Sequence, residues 1–183
     1  RGIRMSTKIS FGLSQKSIDE AIKQIEAYQK SLDSKLSLFC EKLIERGQTV
    51  AVEKLTESPL GKTVTMKSDK TEEEMGCKAV LIATGEVKYP EGREPFNLLF
   101  AIEFGAGVRY NSIPNPKAGE LGFGIGSYPG QTHAADPNGW YYFGDDGKWH
   151  HSYGIKATMP MYNASLEMIK SVSEVAREVF GSG

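Results

Sequence analysis

Trp140-Tyr141-Tyr142-Phe143-Gly144-Asp145-Asp146-Gly147-Lys148-Trp149-His150-His151 sets a polar turn between two aromatic runs. Asp and Gly tolerate the positive φ that a tight reversal needs, so the stretch predicts a β-hairpin. Downstream, Met161, Ala164, Met168, Ile169, Val172, Val175, Ala176, Val179 and Phe180 form an apolar stripe at helical spacing. Thr158 is the expected cap, Pro160 suits the first turn, and Gly181 supplies the stop. Each large side chain of that stripe contributes roughly 1.5–3 kcal/mol on burial, so this helix is expected to hold the domain together.

Upstream of the hairpin, Gly105 to Gly139 is a Gly- and Pro-rich run of about 35 residues without apolar periodicity. Connections inside compact domains have a median of roughly 4–6 residues, so this one is expected to be functional or disordered. Asn97 to Phe104 is apolar throughout, and periodicity leaves strand and short helix both open.

At the other end, Ser17-Ile18-Asp19-Glu20 has the form of a capping box. Behind it Ile18, Ala21, Ile22, Ile25, Leu32, Leu36, Phe39, Leu43 and Ile44 share one helical face. An unbroken helix from Ser17 to Thr56 would be about 60 Å long, against about 40 Å for a compact domain of this size. A kink or break near Gly47 is therefore expected, with projection toward a neighbouring subunit as the alternative. Thr63 to Lys67 reads as a short strand and the charged run Lys67 to Glu74 as a solvated turn. Gly76 to Thr84 reads as a largely buried strand. Helices at both ends flanking a mainly antiparallel sheet argue for α+β, as a single domain over 9–181. Arg1 to Arg4 precede Met5 and read as a cloning remnant or upstream read-through.

The chain has 183 residues, 39% of them hydrophobic, and a formal charge of −1. No global positive field would draw nucleic acid or an anionic membrane, and no apolar run reaches the roughly 18 residues of a membrane span. Cys40 and Cys77 read as small buried hydrophobes in a protein of a reducing compartment, since a disulfide framework needs more cysteines.

Chemistry-bearing motifs fail on spacing. Gly61-Lys62-Thr63 lacks the earlier Gly of a phosphate-binding loop, because Thr56 stands there. Gly124 and Gly126 lack the third Gly of a dinucleotide fingerprint, where Pro129 stands. Gly126-Ser127-Tyr128-Pro129-Gly130 is not a nucleophile elbow. His133, His150 and His151 with Asp136, Asp145 and Asp146 are the candidates for a small hydrolase or metal-dependent enzyme. Adjacent histidines in a strand face opposite ways, however. The expectation is no enzyme, no cofactor and no metal. A hairpin buries only one face, so part of the aromatic set is expected at an interface. The residues expected to bind a partner are Arg109, Tyr110, Phe123, Tyr128, Trp140, Tyr142 and Trp149. A glycan- or peptide-binding module is a further alternative.

Three stretches carry a resemblance: Ser58-Pro59-Leu60-Gly61 after the long helix, Ala101-Ile102-Glu103-Phe104-Gly105-Ala106-Gly107, and Gly154 to Ala164 with its Pro160-Met161-Tyr162-Asn163-Ala164. In this order, from about Ile9 to Phe180, they resemble the tail-completion family of long-tailed bacteriophages and prophages, also described as head–tail joining or minor tail proteins. Ala106 stands where the family motif has Thr, and the insertion from Asn111 to Asn138 is longer than the family's connection. The resemblance implies a non-catalytic virion protein that forms a ring, expected to be a hexamer, at the top of the tail or in the neck. Its partners would be itself, the tail tube and the head connector. It would act in the virion and, during assembly, in the bacterial cytoplasm.

Overall fold

The computed structural model describes residues 9–10, 12–73, 76–89, 95–124, 133–144 and 146–181. In order, these form α1 (Gln15–Thr56), β1 (Val64–Glu73), β2 (Gly76–Gly85), β3 (Val87–Lys88), β4 (Phe96–Asn97), α2 (Leu98–Phe104), β5 (Trp140–Phe143), β6 (Trp149–Ser152) and α3 (Pro160–Phe180). The class is α+β, with 49% of the described residues helical and 22% in strands. Among the described residues the strands form three two-stranded sheets, β1 with β2, β3 with β4 and β5 with β6, where one small sheet is expected from the sequence.

The described chain groups into two compact units. One holds α1 up to Glu45, Ser68–Val80 and α3 from Met168; the other holds Arg46–Lys67 and Leu81–Glu167. The chain passes between them within α1, β1, β2 and α3.

In the first unit, α1 begins two residues before Ser17. Ser14 caps it, its Oγ accepting the Ser17 N–H at 3.3 Å, while Ser17 Oγ turns back to accept the Gly12 N–H at 2.8 Å. Ser17 is therefore not the N-cap. The rings of Phe39 and Phe180 meet with centroids 5.9 Å apart. Lys42 pairs with Glu178 at 2.6 Å, and Lys70 with Glu41 at 3.2 Å. The charged run 67–73 is strand and not turn: its side chains stand exposed along β1. β2 alternates half-buried and exposed positions, with Val80 and Ile82 exposed, so it is not the largely buried strand expected. Cys40 and Cys77 are half-buried free thiols rather than fully buried hydrophobes, and Cys40 Sγ donates to the Cys77 carbonyl at 3.4 Å.

No break occurs at Gly47: α1 is one helix of 42 residues, about 63 Å long at 1.5 Å per residue. Gly in a helix interior costs only about 1 kcal/mol relative to Ala, and Gly47 is buried, so packing offsets it.

The second unit is built around α2. Asn97 caps it, Oδ1 accepting the Leu99 N–H at 2.9 Å, which resolves the strand-or-helix ambiguity of 97–104. Leu98, Ala101, Ile102 and Phe104 of α2 are buried, as are Ala51, Leu55, Ala106, Ala118 and Ala164 of the same unit. Ala106 and Ile155 exchange backbone hydrogen bonds of 2.8 and 2.7 Å.

Candidate assembly surface

Glu103 is 7% exposed at the end of α2 and faces the start of α3. Its Oε2 accepts the Met161 N–H at 2.9 Å, and its Oε1 accepts the Tyr162 N–H at 3.0 Å. Helix N-termini leave their first N–H groups without intrahelical partners and carry partial positive charge, so a carboxylate there satisfies both needs. Asn115 Nδ2 donates to the same Oε1 at 3.0 Å. Burial pushes the Glu103 carboxyl above its ordinary pKa, and the hydrogen bonds from Met161, Tyr162 and Asn115 pull against that shift. Thr158 does not cap α3. Met159, in the left-handed region at φ 53°, separates it from the helix, and Thr158 Oγ1 is buried without a partner among the described residues.

Asn111 works beside this carboxylate. Its Nδ2 donates to Gly107 O and Ile155 O, both at 2.8 Å, and its Oδ1 accepts the Ala157 N–H at 2.8 Å. Thus the Glu-Phe-Gly stretch and the Pro160 stretch, about 55 residues apart, form one hydrogen-bonded latch through Glu103, Asn111 and Asn115. The run from Gly105 is accordingly not slack at its start: Asn111, Asn115 and Ala118 are buried. Phe123 packs edge-on against Phe104, centroids 4.4 Å apart, and against Phe100 at 5.8 Å.

The hairpin forms in the register Trp140↔Ser152, Tyr141↔His151, Tyr142↔His150 and Phe143↔Trp149. Because partners share a face, the aromatics divide in two. On one face Tyr142 stacks on His150, which meets Asp146 Oδ1 at 2.8 Å, and Trp140 turns toward the backbone at Gly107. On the other face Phe143 meets Trp149 at 5.5 Å, Tyr141 meets His151 at 4.5 Å, and His151 meets Tyr153 edge-on at 4.4 Å. The Arg109 guanidinium lies 4.0 Å from the Tyr153 ring centroid, within cation–π range. The result is an aromatic ladder ending in a cation. Its outer members are open: Tyr141 and Trp149 are each 69% exposed and Phe143 is 61% exposed.

Of the residues expected to bind a partner, Trp149 and Arg109 belong to this ladder. Tyr110 is exposed nearby in sequence, and Tyr142 is half-exposed on the opposite face. Trp140 and Phe123 are used within the subunit, and Tyr128 lies outside the described residues. Tyr141, Phe143, His151 and Tyr153 complete the open face. Their signal is the period of two: 141 and 143 share parity, as do 149, 151 and 153.

Among the described residues His150 and His151 face opposite ways, and no group of three or more His, Cys, Asp or Glu is placed to hold a metal ion. Within the first unit, an open cavity of about 450 Å³ is lined by Cys40, Leu43, Cys77, Met168 and Val172, with Glu73 and Lys78 at it. Burial, first of all, pushes the Cys40 thiol pKa up, which keeps it a thiol and a weak nucleophile. No described helix is long and apolar enough to cross a membrane.

Comparison with family models, with curated proteins and with solved structures returns no match.

Proposed function

We propose that this chain is a structural assembly protein of a tailed phage or prophage, acting at the head–tail junction or the top of the tail tube. The observation that carries the reading is the aromatic ladder Phe143–Trp149, Tyr141–His151 and Tyr153–Arg109, open on a hairpin whose base is anchored beside the latch. Exposed Trp, Tyr and Arg together are the residue types that dominate protein–protein binding energy, while isolated exposed apolar residues carry no such meaning. The latch adds support. It joins the Glu103-Phe104-Gly105 and Pro160 stretches, on which the family resemblance rests, by hydrogen bonds.

In this reading the hairpin face grips a neighbouring subunit or a tube or connector protein, and no bond-making step is involved. A cyclic ring needs two different complementary patches on each subunit, and the hairpin supplies one. Native mass spectrometry and electron microscopy of the chain, alone and mixed with tail-tube and connector proteins, test the reading. Rings or stoichiometric complexes are expected, and their loss on Trp149→Ala. A strict monomer in every mixture would overturn it.

A further inference from the structure

The second surface is on α1. Ile18, Ile22, Ile25, Gln29, Leu32 and Leu36 follow one another at alternating steps of four and three, the spacing of a coiled-coil seam. The same stripe continues through Phe39 and Leu43, where the first unit covers it: Phe39 meets Phe180, and Leu43 lines the cavity with Met168 and Val172. Toward the N-terminus that cover ends while the stripe goes on, leaving Ile22 48% and Ile25 53% exposed. Along one flank Lys16, Asp19, Lys23, Glu26, Lys30 and Asp33 alternate in sign at steps of three and four. Such i,i+3 and i,i+4 pairs stabilise the helix itself and mark that flank as facing water.

We infer that residues 18–36 of α1 bind the same segment of further copies of this chain, as a parallel, in-register coiled coil. Three features of the seam choose this occupant. Gln29 carries both a donor and an acceptor, so it is satisfied opposite its own copy and left unpaired opposite an apolar partner. Asp19, Glu26 and Asp33 occupy the flanking positions that face each other in an antiparallel pair, where like charges repel. In the parallel arrangement Asp33 lies beside the exposed, uncharged Tyr28 of the next helix instead. Ile18 and Ile25 occupy the seam positions at which β-branched side chains favour three or more strands over two. The inference stands on α1 alone and does not depend on the phage reading.

Sedimentation of the full chain across a concentration series tests it, with Ile22→Asp/Ile25→Asp as the main variant. Both side chains are half-exposed, so folding should be kept, and unchanged circular dichroism and melting would show it. The expected results are reversible self-association in the wild type and at least a tenfold weakening in the variant. Gln29→Ile should strengthen association at least tenfold while broadening its stoichiometry. Two single variants, Ile22→Cys and Leu32→Cys, report orientation. Each should form a disulfide with its own copy, identified by peptide mapping against Cys40 and Cys77. A 22-to-32 linkage when the two are mixed, without the self-linkages, would mean antiparallel pairing and overturn the inference. A wild type that is monomeric at every concentration would also overturn it. So would association that survives the Asp double variant yet is lost in Trp149→Ala, an outcome that leaves the hairpin reading standing.

Discussion

Glu103 in α2 holds the backbone of Tyr162 in α3 across a sequence separation of 59, its Oε1 accepting that N–H at 3.0 Å. A single buried carboxylate thereby replaces the local cap that α3 lacks. Glu103→Ala removes the acceptor for Met161, Tyr162 and Asn115 together. We expect a loss of about 2–4 kcal/mol in chemical denaturation, more than an ordinary surface cap would give.

The same group makes stability depend on pH. Its folded-state pKa lies above the ordinary glutamate value, chiefly through burial. Folding therefore favours the protonated form, and the contribution is complete below the unfolded pKa and lost as pH rises through the folded one. Glu103→Gln removes that titration. The stability of wild type minus Glu103→Gln, measured by denaturation from acid to neutral pH, should fall through that window and be flat on either side. A difference that rises with pH would show that the hydrogen bonds outweigh burial.

Asn111 gives a sharper test of polarity than of size. Asn111→Asp is nearly isosteric but places an acceptor against the carbonyls of Gly107 and Ile155, where an amide now donates. A loss of about 2–4 kcal/mol is expected at neutral pH, at least as large as that for Asn111→Ala. Thermal melting of the pair decides it.

Two glycines with positive φ should respond differently to alanine. A Cβ at Gly154 (φ 96°) would lie 1.8 Å from the Ala106 carbonyl oxygen, at the bridge where the hairpin joins the α2 side. At Gly147 (φ 72°) it would meet nothing within 4 Å. Gly147→Ala should cost only the left-handed backbone penalty, about 1–2 kcal/mol. Gly154→Ala should cost more, because the backbone itself must move, and hydrogen exchange should show faster exchange of the Ala106 and Ile155 amides.

Thr158 offers a gain. Its buried Oγ1 finds no partner among the described residues, and Val has the same shape without the hydroxyl. Thr158→Val should be neutral or stabilise by about 1 kcal/mol in denaturant melts. A clear loss would mean that the hydroxyl is satisfied in solution.

The aromatic ladder should matter to association and not to folding. Trp149→Ala and Tyr141→Ala each remove a cross-strand pair worth about 0.2–1 kcal/mol, so melting should change little. Binding to the assembly partner should weaken by about 2 kcal/mol, roughly 30-fold, as read by titration calorimetry.

What the sequence conveyed and what it withheld divide along range of contact. The hairpin was readable because turn chemistry and period-two alternation are local, and the stripe of α3 because helical spacing is local. Cap positions misled twice. Ser17 and Thr158 have the right chemistry, but Ser14 precedes one and the φ of Met159 displaces the other. Glu103, Asn111 and Asn115 left no local pattern, because their partners lie up to 59 residues away. The apolar run of β2 suggested a largely buried strand. Strand alternation instead leaves one face, with Val80 and Ile82, open. Gly47 and overall length argued for a broken α1, an argument that holds only if the helix must stay within a globule.

The latch also orders events during synthesis. A ribosome delivers α2 and the Asn115 turn well before it delivers Met161 and Tyr162. Until then the Glu103 carboxylate lacks its backbone donors and must stay hydrated, which holds the α2 core open. Closing a loop of that span carries an entropic cost that only a completed α3 can offset. We therefore expect the second unit to complete its fold only after Tyr162 emerges, and limited proteolysis of chains released earlier to cut at α2.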